Sequence, residues 1–157
     1  LDGLYRDITA SFLAGSICYR KIVFFRAGGF DPKMKFGENY ELGIRITNLQ
    51  GLRIKLINKV FLKYNLNALE RESNSFDNRL SSHLHQLNKH KELFLKNKQM
   101  HFNYLSVAAV SAFKTNRIEE GEKYLVKAMK VKPFNFRSCA RIIIGYTPII
   151  RNIFWKK

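Results

Sequence analysis

Cysteine and long apolar runs are both scarce in this chain, and each shortage excludes a class of protein. Among 157 residues there are two cysteines, Cys18 and Cys139, and neither has a partner at metal-ligand spacing. We therefore predict two reduced core thiols rather than a disulfide scaffold or a zinc site. No apolar run reaches the roughly 18 residues of a spanning helix, and no signal-peptide pattern is present. These patterns predict a cytoplasmic location.

Acidic residues are also scarce, with 12 Asp and Glu against 28 Lys and Arg and a formal charge of +16. Such a balance predicts attraction to an anionic partner: nucleic acid, an acidic membrane surface or a phosphate-bearing substrate. The charge alone does not choose among the three. Apolar residues make up 46% of the chain, which is enough for a packed core and excludes global disorder.

The first part of the chain, residues 1–75, mixes strand and helix patterns. The apolar stripe of Leu42, Ile46 and Leu49 has the spacing of one helix face, and alternation after Gly51 has the period of a strand. The predicted elements are a strand at 11–19, a short helix ended by Gly28 or Gly29, a helix at 39–49 and a strand pair at 52–64.

The second part, residues 76–157, is helical in pattern and more basic. We predict one long helix at 76–98, two more at 101–115 and 118–131, and a stop at Pro133. The net charge is +5 for residues 1–75 and +11 for residues 76–157. We place a domain boundary near residue 75. The apolar face of the long helix is predicted from its spacing to hold Leu80, Leu84, Leu87 and Phe94.

The stretch at 28–46, "GGFDPKMKFGENYELGIRI", places two carboxylates in the first turn of a helix. Glu38 and Glu41 flank the amide Asn39 in a chain that is otherwise basic. Acidic residues are common at helix N-termini as caps and dipole partners. A purely structural role therefore stands beside a functional one.

The order of these residues resembles the second half of the catalytic domain of family 2 glycosyltransferases, which have the GT-A fold. The resemblance covers about residues 11–65. It implies an α/β fragment, the acceptor-side half of a GT-A domain, followed by an all-α extension, with helix dominating the whole chain. The positions on which the family pattern falls are Gly28, Gly29, Phe30, Asp31, Glu38, Asn39, Tyr40, Glu41, Leu42, Arg45 and Gly51.

The resemblance also implies a role for the carboxylates. Inverting sugar transfer needs a base that takes the proton of the acceptor hydroxyl, and the family usually has an Asp where this chain has Asn39. An amide cannot accept that proton near neutral pH. Three interpretations are open: Glu38 or Glu41 acts as the base, the loop aligns differently, or this copy is inactive. Glu41 is the weaker substitute because Arg45 can pair with it on one helix face.

The donor half of such an enzyme is missing from these residues. No D-x-D motif and no Gly-rich phosphate cradle occur, so the chain itself has no predicted cofactor or metal site, and Mg²⁺ or Mn²⁺ is expected only for a full-length enzyme. The implied partners of that enzyme are a nucleotide-sugar and a glycan or lipid-linked acceptor. The start at Leu1 favours a fragment or half of a split enzyme, and the isolated chain is expected to be inactive.

Residues 102–135 resemble a single tetratricopeptide hairpin, with small residues at Ala109, Gly121 and Ala128 and a closing Pro133. One such repeat cannot bury its own face, so it must pack on a neighbouring segment. A generic helical hairpin is the equal alternative.

The last residues, 139–157, either cap this hairpin or lie in a membrane interface, which would place the protein peripherally at the inner face of the membrane. Four histidines are expected to be solvated rather than metal ligands: His83, His85, His90 and His101. The rival function is a basic helical binding module for an anionic membrane surface, nucleic acid or a protein partner. Nucleic acid is the least favoured of these, because no nucleic-acid-binding motif is present.

Overall fold

The computed structural model describes residues 15–55, 57, 59–63 and 75–133, and helices hold 63% of these residues. Helix therefore dominates the described part of the chain, as the sequence predicts. The helices are α1 (Lys21–Arg26), α2 (Glu38–Thr47), α3 (Phe76–Lys89), α4 (Lys91–Lys96), α5 (Lys98–Lys114) and α6 (Ile118–Val131).

The chain divides into two compact units, Leu1–Glu70 and Arg71–Lys157. Residues 64–74 lie outside the described part, so the predicted domain ranges 1–75 and 76–157 stay predictions. Each unit has a hydrophobic core of its own among the described residues.

The core of the first unit forms where α1 and α2 meet. Leu42 and Ile46 are buried with Ala27, which follows α1, and Leu49 packs against them. The predicted stripe on α2 is thus the face that enters the core. The chain leaves α1 through Gly28 and Gly29, which have φ of 81° and 67°. Side chains other than glycine rarely adopt these values, so the two glycines end α1 as predicted.

The predicted strands are wrong where the structure describes them. Residues 15–19, 52–55, 57 and 59–63 form no strand. Ile57, Val60 and Phe61 are 60%, 95% and 75% exposed. A strand needs a neighbour that accepts its backbone hydrogen bonds and covers one face, and the described residues supply no such neighbour. The α/β part of the predicted fold class therefore has no support in them.

In the second unit, α5 packs against both α3 and α6. Leu80 of α3 is buried with Ala108 and Ala112 of α5, while Leu125 of α6 is buried with Ala109 and Phe113. Small residues on α5 let both neighbours approach closely. The hairpin of α5 and α6 was expected to need a neighbouring segment to pack on, and α3 provides it. Whether the hairpin is a tetratricopeptide unit stays a prediction.

The single helix predicted at 76–98 is instead interrupted at His90 and Asn97. His90 has φ −113° and ψ 38°, and Asn97 has φ −112° and ψ 85°. The Asn97 side chain accepts a hydrogen bond from the backbone N–H of Met100 at 3.0 Å. Asparagine is a strong N-cap because its side chain replaces a missing helical acceptor, so Asn97 begins α5 rather than continuing the preceding helix. Phe94, in the short α4 between the two interruptions, is buried.

Candidate functional site

The candidate site is built on the first turn of α2. Gly37 precedes the helix with φ 71° and ψ 24°, a left-handed conformation that glycine adopts without steric cost. Glu38 is the first helical residue, and the Asn39 side-chain amide donates to its carboxylate Oε1 at 3.2 Å. Both side chains are half-buried. The helix dipole favours negative charge at this end, and the Asn39 amide gives the Glu38 carboxylate a hydrogen-bond donor.

Glu41, three residues further along the first turn of α2, is in a different environment. It is fully buried, and its carboxylate accepts hydrogen bonds from Arg45 Nε at 2.9 and 3.1 Å and from Arg45 Nη2 at 2.7 Å. The pair expected from the i, i+4 spacing is therefore present. A buried carboxylate is stable only with such a partner. Glu41 is committed to this ion pair and is poorly placed to take a proton from an acceptor.

Arg45 also holds the Gly-Gly turn. Its Nη2 donates to the carbonyl oxygen of Gly29 at 2.7 Å, and its Nη1 donates to the carbonyl oxygen of Ala27. The planar guanidinium can make these contacts together with those to Glu41 because its donors point in fixed, divergent directions. The turn after α1 is thereby fastened to the last turn of α2.

The loop between this turn and α2 is consequently held at both ends. It starts beside Gly29, which Arg45 binds, and finishes at Gly37, which caps α2. Within it the Asp31 carboxylate accepts from the backbone N–H of Lys33 at 3.0 Å, and Met34 is buried. Asp31 thus shapes a turn, while Phe30 is 49% exposed and contacts Phe24 edge-on at 5.4 Å between ring centroids.

The predicted site residues are only partly brought together. Gly29, Glu41 and Arg45 form one hydrogen-bonded group, and Glu38 with Asn39 forms another at the helix start. Tyr40, which stands between Asn39 and Glu41 in the sequence, is half-buried. Among the described residues, no ion pair joins Glu38 to a basic side chain. That Glu38 lines a cleft stays a prediction; the surface depression lined by residues 116–120 lies in the second unit.

The hydrogen bonds from Arg45 to the two backbone carbonyls cannot be predicted from the local sequence pattern. The i, i+4 spacing indicates the pair with Glu41, but Ala27 and Gly29 are 18 and 16 residues away in sequence. The double glycine was the available signal for such a contact. It marks a turn next to a helix, and the carbonyl groups of that turn need hydrogen-bond donors.

Two further expectations about single residues are wrong. Cys18 is exposed rather than part of the core, because its neighbour Tyr19 is the side chain that packs against Leu42 and Ile46. His83 is buried rather than solvated. Its Nδ1 lies 2.8 Å from the carbonyl oxygen of Arg79, so Nδ1 carries the proton. Cys139 lies outside the described residues.

His83 belongs to a polar cluster inside the second unit. Its ring lies 4.8 Å from that of Tyr104, whose hydroxyl donates to Oε1 of the buried Gln86 at 2.8 Å. Burial lowers the pKa of His83. Its members are buried or half-buried and bond to one another or to the helix backbone, so we interpret the cluster as a polar element of the core.

Within residues 15–55, 57, 59–63 and 75–133, no group of three His, Cys, Asp or Glu side chains is placed to hold a metal ion. None of the six helices α1 to α6 is long and apolar enough to cross a membrane. The segment 139–157, with its two open interpretations, lies outside the described residues.

Comparisons of this chain with protein-family models, curated proteins and solved structures found no match.

Proposed function

We propose that this chain supplies the acceptor side of a family 2 glycosyltransferase, whose donor site lies on a segment that these 157 residues do not include. The observation that carries the proposal is the difference in environment between the two carboxylates of α2. Glu41 is buried against Arg45, and Glu38 stands half-buried at the helix start. The residues that resemble the family therefore include a loop held in place by Arg45 and one carboxylate, Glu38, that is only half-buried.

In the proposed reaction, Glu38 accepts the proton of an acceptor hydroxyl as its oxygen attacks the anomeric carbon of the sugar. The bond from that carbon to the nucleotide diphosphate breaks, and the diphosphate leaves with the electron pair. Asn39 stands where the family has its base and cannot take the proton. It instead donates to Glu38, which would orient the carboxylate toward the acceptor.

The donor side of the reaction would come from the missing half. That half would bind the nucleotide-sugar and the Mg²⁺ or Mn²⁺ ion that neutralises the leaving diphosphate. The whole enzyme would act on a glycan or lipid-linked acceptor at the cytoplasmic side of a membrane, with 76–157 as its helical extension.

Several described residues between 52 and 63 support the idea of a missing half. The sequence alternates apolar residues with Arg53 and Lys55 over 52–56, and Ile54, Ile57, Val60 and Phe61 are exposed. Such a sequence has strand character without a partner. In the proposed enzyme it becomes a strand of the α/β sheet when the donor half provides the adjacent edge.

The test is reconstitution. The chain alone, titrated with nucleotide-sugars and Mn²⁺ in a calorimeter, should bind poorly and transfer no sugar. The same chain joined to the polypeptide encoded directly upstream should transfer sugar, and the upstream half alone should not. Micromolar nucleotide-sugar binding by the isolated chain would refute the missing-donor claim, and an inactive fusion that binds donor normally would refute the acceptor role.

A further inference from the structure

The short helix α1 and the turn after it carry an exposed apolar row. Ile22 and Phe25 are 63% and 61% exposed, and Phe30 is 49% exposed. Ile22 and Phe25 are three residues apart and therefore share a face of α1. No residue of α1 is buried.

The two exposed aromatic rings are held by a third. Phe24 contacts Phe25 at 5.9 Å and Phe30 at 5.4 Å between ring centroids, both edge-on. Arg45 fixes the turn that carries Phe30 through its bond to the carbonyl of Gly29. The exposed rings of Phe25 and Phe30 are thus held in place by these contacts. They would lose little conformational freedom when a partner buries them.

Basic side chains surround this row. Arg20, Lys21, Arg26 and Lys33 are all exposed, and the Lys21 ammonium lies 5.8 Å from the centroid of the Phe25 ring. The described residues of the first unit contain ten basic side chains against three acidic ones. One of those three, Glu41, is buried and paired with Arg45, so the field around the row is strongly positive.

We propose that α1 and the Gly-Gly-Phe turn bind the surface of an anionic phospholipid bilayer. Phe25, Phe30 and Ile22 enter the boundary between headgroups and acyl chains, and Arg20, Lys21 and Lys33 contact the lipid phosphates. Rigid apolar side chains ringed by Lys and Arg are the combination that interfacial binding needs. A nucleic acid would use the positive charge and could stack on the rings, but it offers no apolar phase for Ile22. The proposed lipid binding by this surface is independent of the proposed transferase activity.

The test uses vesicle sedimentation with the full chain. We expect binding to vesicles of phosphatidylcholine mixed with phosphatidylglycerol, weak binding to phosphatidylcholine alone, and loss of binding in high salt. Phe25→Ser combined with Phe30→Ser should weaken binding at least tenfold, since each ring removes a large apolar area from water. Lys21→Gln should weaken binding about fivefold and only to the anionic vesicles. Val126→Ser is the matched control, because Val126 is also exposed but lies on α6.

Insertion is measured separately. In a Trp155→Phe background, Phe25→Trp should show indole fluorescence that brominated lipids quench, whereas Val126→Trp should not. If the double serine variant, folded by circular dichroism, still binds vesicles like the parent chain, the proposal is wrong and the contact lies elsewhere, such as 139–157. Binding that an oligonucleotide abolishes while Phe25→Trp stays unquenched would likewise overturn it in favour of a nucleic-acid surface.

Discussion

Arg45 meets Glu41 through two nitrogens, with Nη2 2.7 Å from Oε2 and Nε 2.9 Å from Oε1. The carboxylate is fully buried, whereas the arginine side chain is 18% exposed. The same guanidinium binds the backbone carbonyls of Ala27 and Gly29. One residue of α2 therefore compensates a buried charge and sets the position of the loop that leads back to Glu38.

Substituting Arg45 should destabilise the first unit. Arg45→Met removes the guanidinium that compensates the buried charge of Glu41, which costs about 3–5 kcal/mol, and it frees the Gly-Gly turn. We expect faster hydrogen exchange in α1, the turn and α2, measured on their peptides by mass spectrometry, since a chain of two units has no single unfolding transition. Adding Glu41→Gln should recover part of the loss by removing the buried negative charge. Unchanged exchange in Arg45→Met would contradict this account.

Gly121 should tolerate no side chain. A Cβ at this position of α6 would lie 2.6 Å from ring atoms of Phe113, and both residues are buried. Gly121→Ala gains helix propensity of about 1 kcal/mol but overpacks the contact at a cost of about 1–3 kcal/mol, so the net effect is destabilising. Hydrogen exchange of α5 and α6 measures it. Combining Gly121→Ala with Phe113→Leu should reduce the cost of the alanine; equal cost in both backgrounds would show that Phe113 is not the obstacle.

The second unit should lose stability in mild acid through His83. Burial, and to a lesser degree the charge of Arg79, lower the pKa of His83 below its ordinary 6.5, although its bond to the Arg79 carbonyl acts the other way. The unfolded chain then binds more protons than the folded one, so the free energy of unfolding falls as pH drops below about 6.5 and levels off beneath the folded pKa. Hydrogen exchange of α3 and α5 at several pH values should show this slope.

The control for that experiment is the parent chain under the same conditions. His83→Gln keeps a donor for the Arg79 carbonyl and should flatten the slope. Burial also lowers the pKa of His101, so a residual slope is expected in His83→Gln. An identical slope in the parent chain and His83→Gln would exclude His83 as its source.

The helices were predictable because their signals are local. The spacing of Leu42, Ile46 and Leu49 defined the core face of α2, and the glycines at 28 and 29 marked the end of α1. The interruption at His90 was missed because the predicted apolar face, from Leu80 to Phe94, continues across it. The helix boundary predicted between 98 and 101 lies at Asn97, where the side-chain cap on Met100 satisfies a donor of the new helix start.

The strands and the site could be predicted less well because both depend on distant parts of the chain. Alternation at 52–57 indicates a strand only if a neighbour accepts its hydrogen bonds, and the described residues contain none. The pairing of Glu41 with Arg45 followed from spacing, whereas the binding of the Gly29 carbonyl did not. The burial of His83 depends on Tyr104, which is 21 positions away on α5.

The last prediction separates the carboxylates of α2 in a reconstituted enzyme. If Glu38 is the base, Glu38→Gln should lower sugar transfer about 10²- to 10⁴-fold with little change in donor affinity or folding. Asn39→Asp should raise turnover if the asparagine is a lost base, and should lower it if the amide is needed to orient Glu38. Glu41→Gln should act differently, through increased hydrogen exchange of α2, because Glu41 is committed to Arg45. Full activity in Glu38→Gln and in Asn39→Asp would show that the reaction does not use this helix.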